Sequence, residues 1–163
     1  MRKIGFTGRD LEARVARLRE PISHASVETA PYRGAFAVTL WYPDGKGTRI
    51  TPIMHDIAER FEVGVLNFVS VTRPADDEAI VELPSSFRGP IKVSKLVVNE
   101  EGISADSGLL LEAGDGQQIV IVAAAFPFSL FTAGVLPTSD RSDPEYPLSD
   151  YQRIDLTSDA GLR

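Results

Sequence analysis

The stretch SGLLLEAGDGQQIVIVAAAFPFSL, residues 107–130, decides the fold class of this chain. Apolar residues fill both alternating faces before and after Asp115-Gly116, a dipeptide that is typical of a tight turn between two strands. Pro127 ends the second run, because proline has no N–H to donate to a strand ladder. We therefore predict a central β-hairpin that is covered on both faces. A buried hairpin contributes core, so function is expected away from it.

The residues outside this hairpin also alternate with the two-residue period of β-strands. Further strands are predicted at residues 36–41, 48–53, 61–71, 79–83, 91–98 and 151–156, and residues 103–106 extend the first strand of the hairpin. Short turns join most of these strands, which favours antiparallel pairing. The sequence therefore predicts a β-rich α+β fold, a mostly antiparallel sheet or sandwich of about seven to eight strands.

One N-terminal amphipathic helix is predicted at about residues 10–19, before strands begin at about residue 35. Apolar side chains recur there at the spacing of one helical face, at Leu11, Val15 and Leu18. Thr7 and Asp10 have the spacing of a capping box. The chain length fits a single globular domain, residues 1–156, followed by a frayed tail, residues 157–163.

Composition and charge restrict the class of function. The chain has 163 residues, no cysteine and a net charge of −6. Residues 1–20 balance to +3, so residues 21–163 carry −9. An acidic body repels phosphate, so we expect no nucleic acid as partner and favour a basic or mixed-charge protein surface. No apolar run reaches the roughly 18 residues of a membrane span, and the charged N-terminus is no signal peptide, so we predict a cytoplasmic protein without membrane contact.

Motifs of known chemistry do not stand out in the sequence. His24 and His55 are its only histidines. The segment DGKGT, residues 44–48, superficially resembles a phosphate loop, but Leu40 occupies the position of the required first glycine. No Gly-x-Ser-x-Gly nucleophile elbow occurs. We therefore predict no catalytic residue, no metal and no cofactor.

The nearest approach to a chemical site is the segment MHDIAER, residues 54–60, which is interpreted as a polar crossover or one helical turn. In a helix, His55 and Glu59 would face the same side. An alternative function, a small enzyme or ligand-binding domain, would use His55, Asp56, Glu59 and Arg60, with Trp41 as a wall. A polar turn between strands is the simpler interpretation.

Aromatic and acidic residues near irregular backbone supply the predicted binding surface, because such aromatics are typical of interface hot spots. Its residues are Asp140, Asp143, Glu145, Tyr146, Asp150 and Tyr151 from the proline-rich C-terminal region, together with Trp41. Trp41 and the phenylalanines around Pro127, which are Phe126, Phe128 and Phe131, are each better explained singly as core residues.

These observations favour a non-catalytic, acidic binding protein. Small acidic domains without a catalytic set have the general profile of bacterial immunity or antitoxin proteins, which cover the surface of a toxin. The expected partner is a protein that is basic or of mixed charge. As a further alternative, an unprotected edge strand would pair two copies into a homodimer, a self-associating structural domain.

Overall fold

The computed structural model describes residues 2–30, 34–58, 61–76, 78–100, 102–138 and 142–156. These ranges contain eleven strands and one α-helix. In chain order they are β1 (Arg2–Ile4), α1 (Leu11–Arg17), β2 (His24–Ala30), β3 (Gly34–Trp41), β4 (Gly47–Ala58), β5 (Phe61–Val71), β6 (Glu78–Glu82), β7 (Ile91–Glu100), β8 (Ile103–Ala113), β9 (Gln118–Ala123), β10 (Leu130–Gly134) and β11 (Gln152–Asp155). Short 3-10 helices lie at Ser85–Arg88 and Leu148–Asp150.

The described strands form one sheet, with the main order β11-β7-β8-β9-β10-β3-β2-β6. All of its strand pairs are antiparallel except β1 with β8. The predicted β-rich fold with antiparallel pairing and one helix is therefore confirmed.

The sheet splits at β3 and rejoins at β8. One edge of β3 pairs with β10 at Ala35 and with β4 further along the strand. On β8, residues 108–112 pair with β9, whereas residues 103–105 pair with β1. Thr7 links β1 to β5 through backbone hydrogen bonds of 3.1 and 2.9 Å to Leu66 and Phe68. One limb is thus β9 and β10, and the other is β4, β5 and residues 2–7.

The main core joins residues of both limbs. Its largest fully buried side chains include Leu18, Leu40, Ile50, Leu66, Phe68, Phe87, Leu109, Leu111, Ile119, Ile121 and Leu130. Leu110 and Val122 point the other way, into a second cluster with Tyr151. Both faces of the β8–β9 hairpin are therefore covered, as predicted. Each buried Leu or Ile of this kind stabilises the fold by about 1.5–3 kcal/mol.

The predicted count of seven to eight strands is wrong, because the described residues contain eleven. The unpredicted strands are β1, β2 and β10, so strands begin well before residue 35. Pro127 does not end the sheet. It lies in the turn between β9 and β10, which pair over five residues.

The helix is shorter than predicted, and its start differs. Asp10 precedes α1 in a left-handed conformation, with φ 54°, and makes no side-chain cap hydrogen bond. The Thr7 hydroxyl instead lies 2.7 Å from Asn67 Oδ1 on β5, so the predicted capping box is wrong. Val15 and Leu18 are fully buried, which confirms the apolar stripe. No helix in the described ranges is long and apolar enough to cross a membrane.

Candidate functional site

The connection between β9 and β10 presents two phenylalanines to solvent. We call Phe126-Pro127-Phe128 the aromatic tip. Phe126 is 51% exposed and Phe128 is 58% exposed. The prediction that these two residues belong to the core is wrong, because the turn projects them beyond the sheet. Phe131, the second residue of β10, is partly buried against the second cluster.

The backbone of the aromatic tip is strained. Ser129 donates two hydrogen bonds to the carbonyl oxygen of Phe126, from its N–H at 3.3 Å and its hydroxyl at 2.6 Å. Pro127 takes the second position of this turn, and Phe128 takes the third with φ 61°. That pattern matches a type II turn, in which the third position usually holds glycine. A bulky side chain at positive φ is rare, and such outliers concentrate at functional sites.

A neighbouring segment, residues 142–151, holds the aromatic tip in place. We call it the acidic segment. Ala125 donates a backbone hydrogen bond of 2.8 Å to Asp143, and Glu145 donates one of 3.2 Å to Ala123. Between them, Ala124 and Pro144 form an antiparallel bridge. The aromatic tip and the start of the acidic segment therefore form one continuous surface.

The residues predicted for partner binding are divided between surface and core. Asp143 and Asp150 are exposed, and Asp143 lies directly beside the aromatic tip. Tyr151 is only 8% exposed, and Tyr146 packs partly buried against the same cluster. Their rings meet edge to face at 6.5 Å. Both tyrosines thus pack in the hydrophobic cluster below this surface. Asp140 lies outside the described residues.

Glu145 fastens the acidic segment to β5. Its Oε2 atom accepts a hydrogen bond of 3.2 Å from the N–H of Gly64, whereas its buried Oε1 atom has no partner among the described residues. Burial raises the pKa of Glu145 from 4.5 to about 7, with a smaller repulsion from Glu62 in the same direction, and the Gly64 hydrogen bond opposes this shift. Burial also raises the pKa of Tyr151 to about 12. The carboxyl group of Glu145 therefore changes its protonation state near neutral pH in the folded protein.

Trp41 belongs to a different surface. It is buried at the end of β3, and its indole N–H donates a hydrogen bond of 2.9 Å to Ser26 Oγ. The Ser26 hydroxyl donates in turn to Glu78 at 2.7 Å. These contacts join Trp41 to β2 and β6 rather than to the acidic segment.

The alternative site around His55 is not assembled in the form predicted. β4 continues to Ala58, so the helical or turn interpretation of residues 54–58 is wrong. His55 and Asp56 are consecutive in this strand and point to opposite faces. Trp41 pairs with Gly47, eight positions before His55 on the same strand, which is a strand length of up to about 26 Å at about 3.3 Å per residue. The remaining predicted residues, Glu59 and Arg60, lie outside the described ranges. Within the ranges that are described, no group of three or more His, Asp or Glu side chains could hold a metal ion.

A serine–histidine contact was not anticipated from the sequence. Ser23 Oγ lies 2.7 Å from His24 Nδ1, and the His24 ring stacks on Trp41 with centroids 6.1 Å apart. Glu82 pairs with His24 across the strands, but no ion pair between them occurs among the described residues. A triad needs a group that orients the imidazole, so this pair falls short of one.

Comparisons with models of known families, with curated proteins and with solved structures find no match for this chain. Function therefore has to be inferred from the geometry of the described residues.

Proposed function

We propose that this protein is a non-catalytic binding domain that inserts the aromatic tip into an apolar pocket of a partner protein. The observation that carries this proposal is the exposure of Phe126 and Phe128 on a turn whose strained backbone is held by its neighbours.

The rigidity of the aromatic tip supports a role in binding. Large aromatic side chains are the typical anchors of protein interfaces, where they fill pockets on the partner. A turn that is already ordered loses little conformational entropy on binding, so more of the contact energy appears as affinity. Pro127 and the two hydrogen bonds from Ser129 supply that order.

The charge around the aromatic tip indicates the kind of partner. Asp143 is exposed next to Ala125, and Asp150 is exposed further along the acidic segment. With a net charge of −6 for the whole chain, a basic protein surface is the complementary partner. An immunity or antitoxin type of protein, which masks a basic toxin in the cytoplasm, is the form of this proposal that the composition favours.

The test compares matched variants in affinity purification from the native host. Phe126→Ser/Phe128→Ser removes both anchors, and Leu148→Ser removes an equally apolar surface residue of the 3-10 helix at Leu148–Asp150, which is 42% exposed. We expect a partner that binds the wild type and the Leu148→Ser variant but does not bind the double variant. Its binding should weaken with Asp143→Lys and with added salt. Identical partners for the wild type and the double variant would refute the proposal.

Self-association is a second use of the same surface. Two copies would meet through their aromatic tips, although the acidic residues beside each tip would then repel each other. Sedimentation velocity distinguishes this case, because a dimer of the wild type that becomes a monomer in Phe126→Ser/Phe128→Ser would assign the tip to a second copy. The enzyme alternative near His55 has less support, because His55 and Asp56 point to opposite faces of β4.

A further inference from the structure

The strand β6 ends the described sheet. It pairs with β2 along its whole length, and no described strand pairs with its other edge. Such an edge offers backbone N–H and carbonyl groups to another chain. Ile80, in the middle of β6, is 71% exposed, which is the highest value among the large apolar side chains in the described ranges.

Two adjoining depressions lie beside this edge, and together we call them the β6 groove. The first has a volume of about 240 Å³ and is lined in part by Trp41, Tyr42 and Pro74. The second has a volume of about 370 Å³ and is lined in part by Leu83 and Arg88. His24 and Ile80 line both depressions.

Hydrogen bonds and ring contacts hold the aromatic wall of the β6 groove in place. Trp41 is tied through Ser26 to Glu78, as described above. The Tyr42 hydroxyl lies 2.8 Å from Thr48 Oγ1, and the guanidinium of Arg17 lies 4.2 Å from the centre of the Tyr42 ring. An apolar side chain that enters the groove therefore meets a preformed wall, which lowers the cost of binding.

The side chains of β6 determine which strand fits beside it. Glu78, Ile80 and Glu82 alternate along one face, the same face as His24 and Trp41. A second copy of β6, paired symmetrically about Ile80, would place Glu78 opposite Glu82, and like charges in directly opposed positions are destabilising. A strand with Lys or Arg on either side of an apolar residue, at alternate positions, gives opposite-charge pairs instead.

We propose that the β6 groove binds an extended, basic segment of another protein, which adds a strand to β6. Lysine or arginine side chains lie opposite Glu78 and Glu82, and the apolar residue between them packs on Ile80 and the Trp41–Tyr42 wall. Strand addition of this kind takes affinity from backbone hydrogen bonds and specificity from alternate side chains. This surface is separate from the aromatic tip and does not depend on the role proposed for it.

The probe is a fluorescein-labelled synthetic peptide, Thr-Lys-Thr-Leu-Thr-Lys-Thr, titrated against the full chain by fluorescence anisotropy. Its matched controls are the same peptide with both lysines changed to glutamate and the same peptide with proline in place of leucine. We expect binding of the lysine peptide and a loss of at least about tenfold in affinity for each control, because one reverses the charge pairs and the other cannot complete the ladder.

Variants of the protein separate the β6 groove from general attraction to an acidic molecule. Glu82→Lys reverses an exposed charge on β6, and Glu100→Lys makes the same change in net charge at the exposed end of β7, outside both proposed binding surfaces. We expect Glu82→Lys to weaken binding of the lysine peptide about tenfold and Glu100→Lys to leave its affinity within about twofold. Because Glu82 makes no hydrogen bond or ion pair with another described side chain, its variant should fold, and circular dichroism checks this.

Amide chemical shifts provide the second measurement. Binding of the lysine peptide should shift the amides of β6 and the Trp41 indole N–H, and leave the aromatic tip unmoved. Equal loss of affinity in the two lysine variants, or shifts confined to residues outside the β6 groove, would overturn the proposal. A dimer that forms through β6 in the absence of peptide would also overturn it, since the groove would then belong to a second copy.

Discussion

Glu145 Oε2 accepts a hydrogen bond from the Gly64 N–H across 81 positions of the chain, at 3.2 Å. This contact fastens the acidic segment, and with it the aromatic tip, to β5. It also places a carboxylate in a site that favours its protonated form. The stability of the protein should therefore depend on pH through this residue.

The sign of that dependence follows from the raised pKa of Glu145. The folded state holds the proton up to about pH 7, whereas the unfolded chain releases it near 4.5. The folded state therefore binds more protons between these values, so this contribution to stability is complete below pH 4.5 and is lost as the pH rises through 7. The full shift would be worth about 3 kcal/mol, and partial exposure reduces this to about 1–2 kcal/mol.

Glu145→Gln should remove this dependence. Relative to wild type, we expect the variant to be about 1–2 kcal/mol more stable at pH 8 than at pH 4.5, because glutamine stays neutral while the wild-type carboxyl group loses its proton. Urea denaturation at both pH values measures the difference. Asp150→Asn, on an exposed carboxylate of the same segment, is the matched control. A relative stability of Glu145→Gln that does not change with pH would contradict the prediction.

Gly64 should tolerate no side chain, because a Cβ atom there would lie 2.5 Å from the Cβ of Ala123. We expect Gly64→Ala to lower the free energy of unfolding by about 1–3 kcal/mol, the usual cost of overpacking. Thermal denaturation measures this cost. In Gly64→Ala/Ala123→Gly the clash is gone, so the double variant should be more stable than the sum of the single changes predicts. Additive losses would show that the two positions do not interfere.

Phe128 should be less favourable for stability than glycine at its position, because its φ of 61° lies in the left-handed region. We expect Phe128→Gly to be more stable than Phe128→Ala by about 1 kcal/mol, since alanine retains the strain and glycine does not. Chemical denaturation of the two variants measures the difference. Both variants should lose partner binding, because the aromatic anchor is absent from each. A more stable Phe128→Ala would refute the assigned strain.

The buried ion pair between Lys95 and Asp106 should be costly to break. Lys95 Nζ lies 3.2 Å from Asp106 Oδ2, which also accepts the N–H of Phe6 at 3.2 Å. We expect Asp106→Ala to destabilise the protein by about 3–5 kcal/mol, because it leaves a buried ammonium without a partner. Lys95→Met/Asp106→Leu should recover much of this loss in urea denaturation. A double variant as unstable as Asp106→Ala would show that the loss comes mainly from the Phe6 N–H.

The prediction of individual strands succeeded where the pattern is strong and local. The alternation in β8 and β9 and the turn at Asp115-Gly116 are contained within about twenty residues. β2 has the same kind of signal in a weaker form, since Ala25 and Val27 face the core while Ser26 and Glu28 alternate with them. That alternation was not sufficient to predict β2, because the strand is made mostly of small and polar residues. β1 has no such signal, because its three residues are a strand only by pairing with Ile103, Ser104 and Ala105.

The candidate surface shows the same division. Acidity and the aromatic content of the C-terminal region could be read directly from the residues, and Asp143 is indeed at the surface. Hydrophobicity assigned Phe126 and Phe128 to the core, and acidic neighbours assigned Tyr151 to the surface, but the structure places them the other way round. Burial depends on which strands a turn projects beyond and on which cluster a ring can reach, and neither is encoded within a few neighbouring residues.

Local chemistry in the chain was thus enough to establish an acidic, β-rich protein with one amphipathic helix and a central hairpin, because strand periodicity, helix periodicity and charge are properties of consecutive residues. The splitting of the sheet, the exposed aromatic tip, the raised pKa of Glu145 and the open edge of β6 were decided by the tertiary structure. Each of them depends on contacts between residues that are far apart in the chain, and only folding brings those residues within hydrogen-bonding or packing distance.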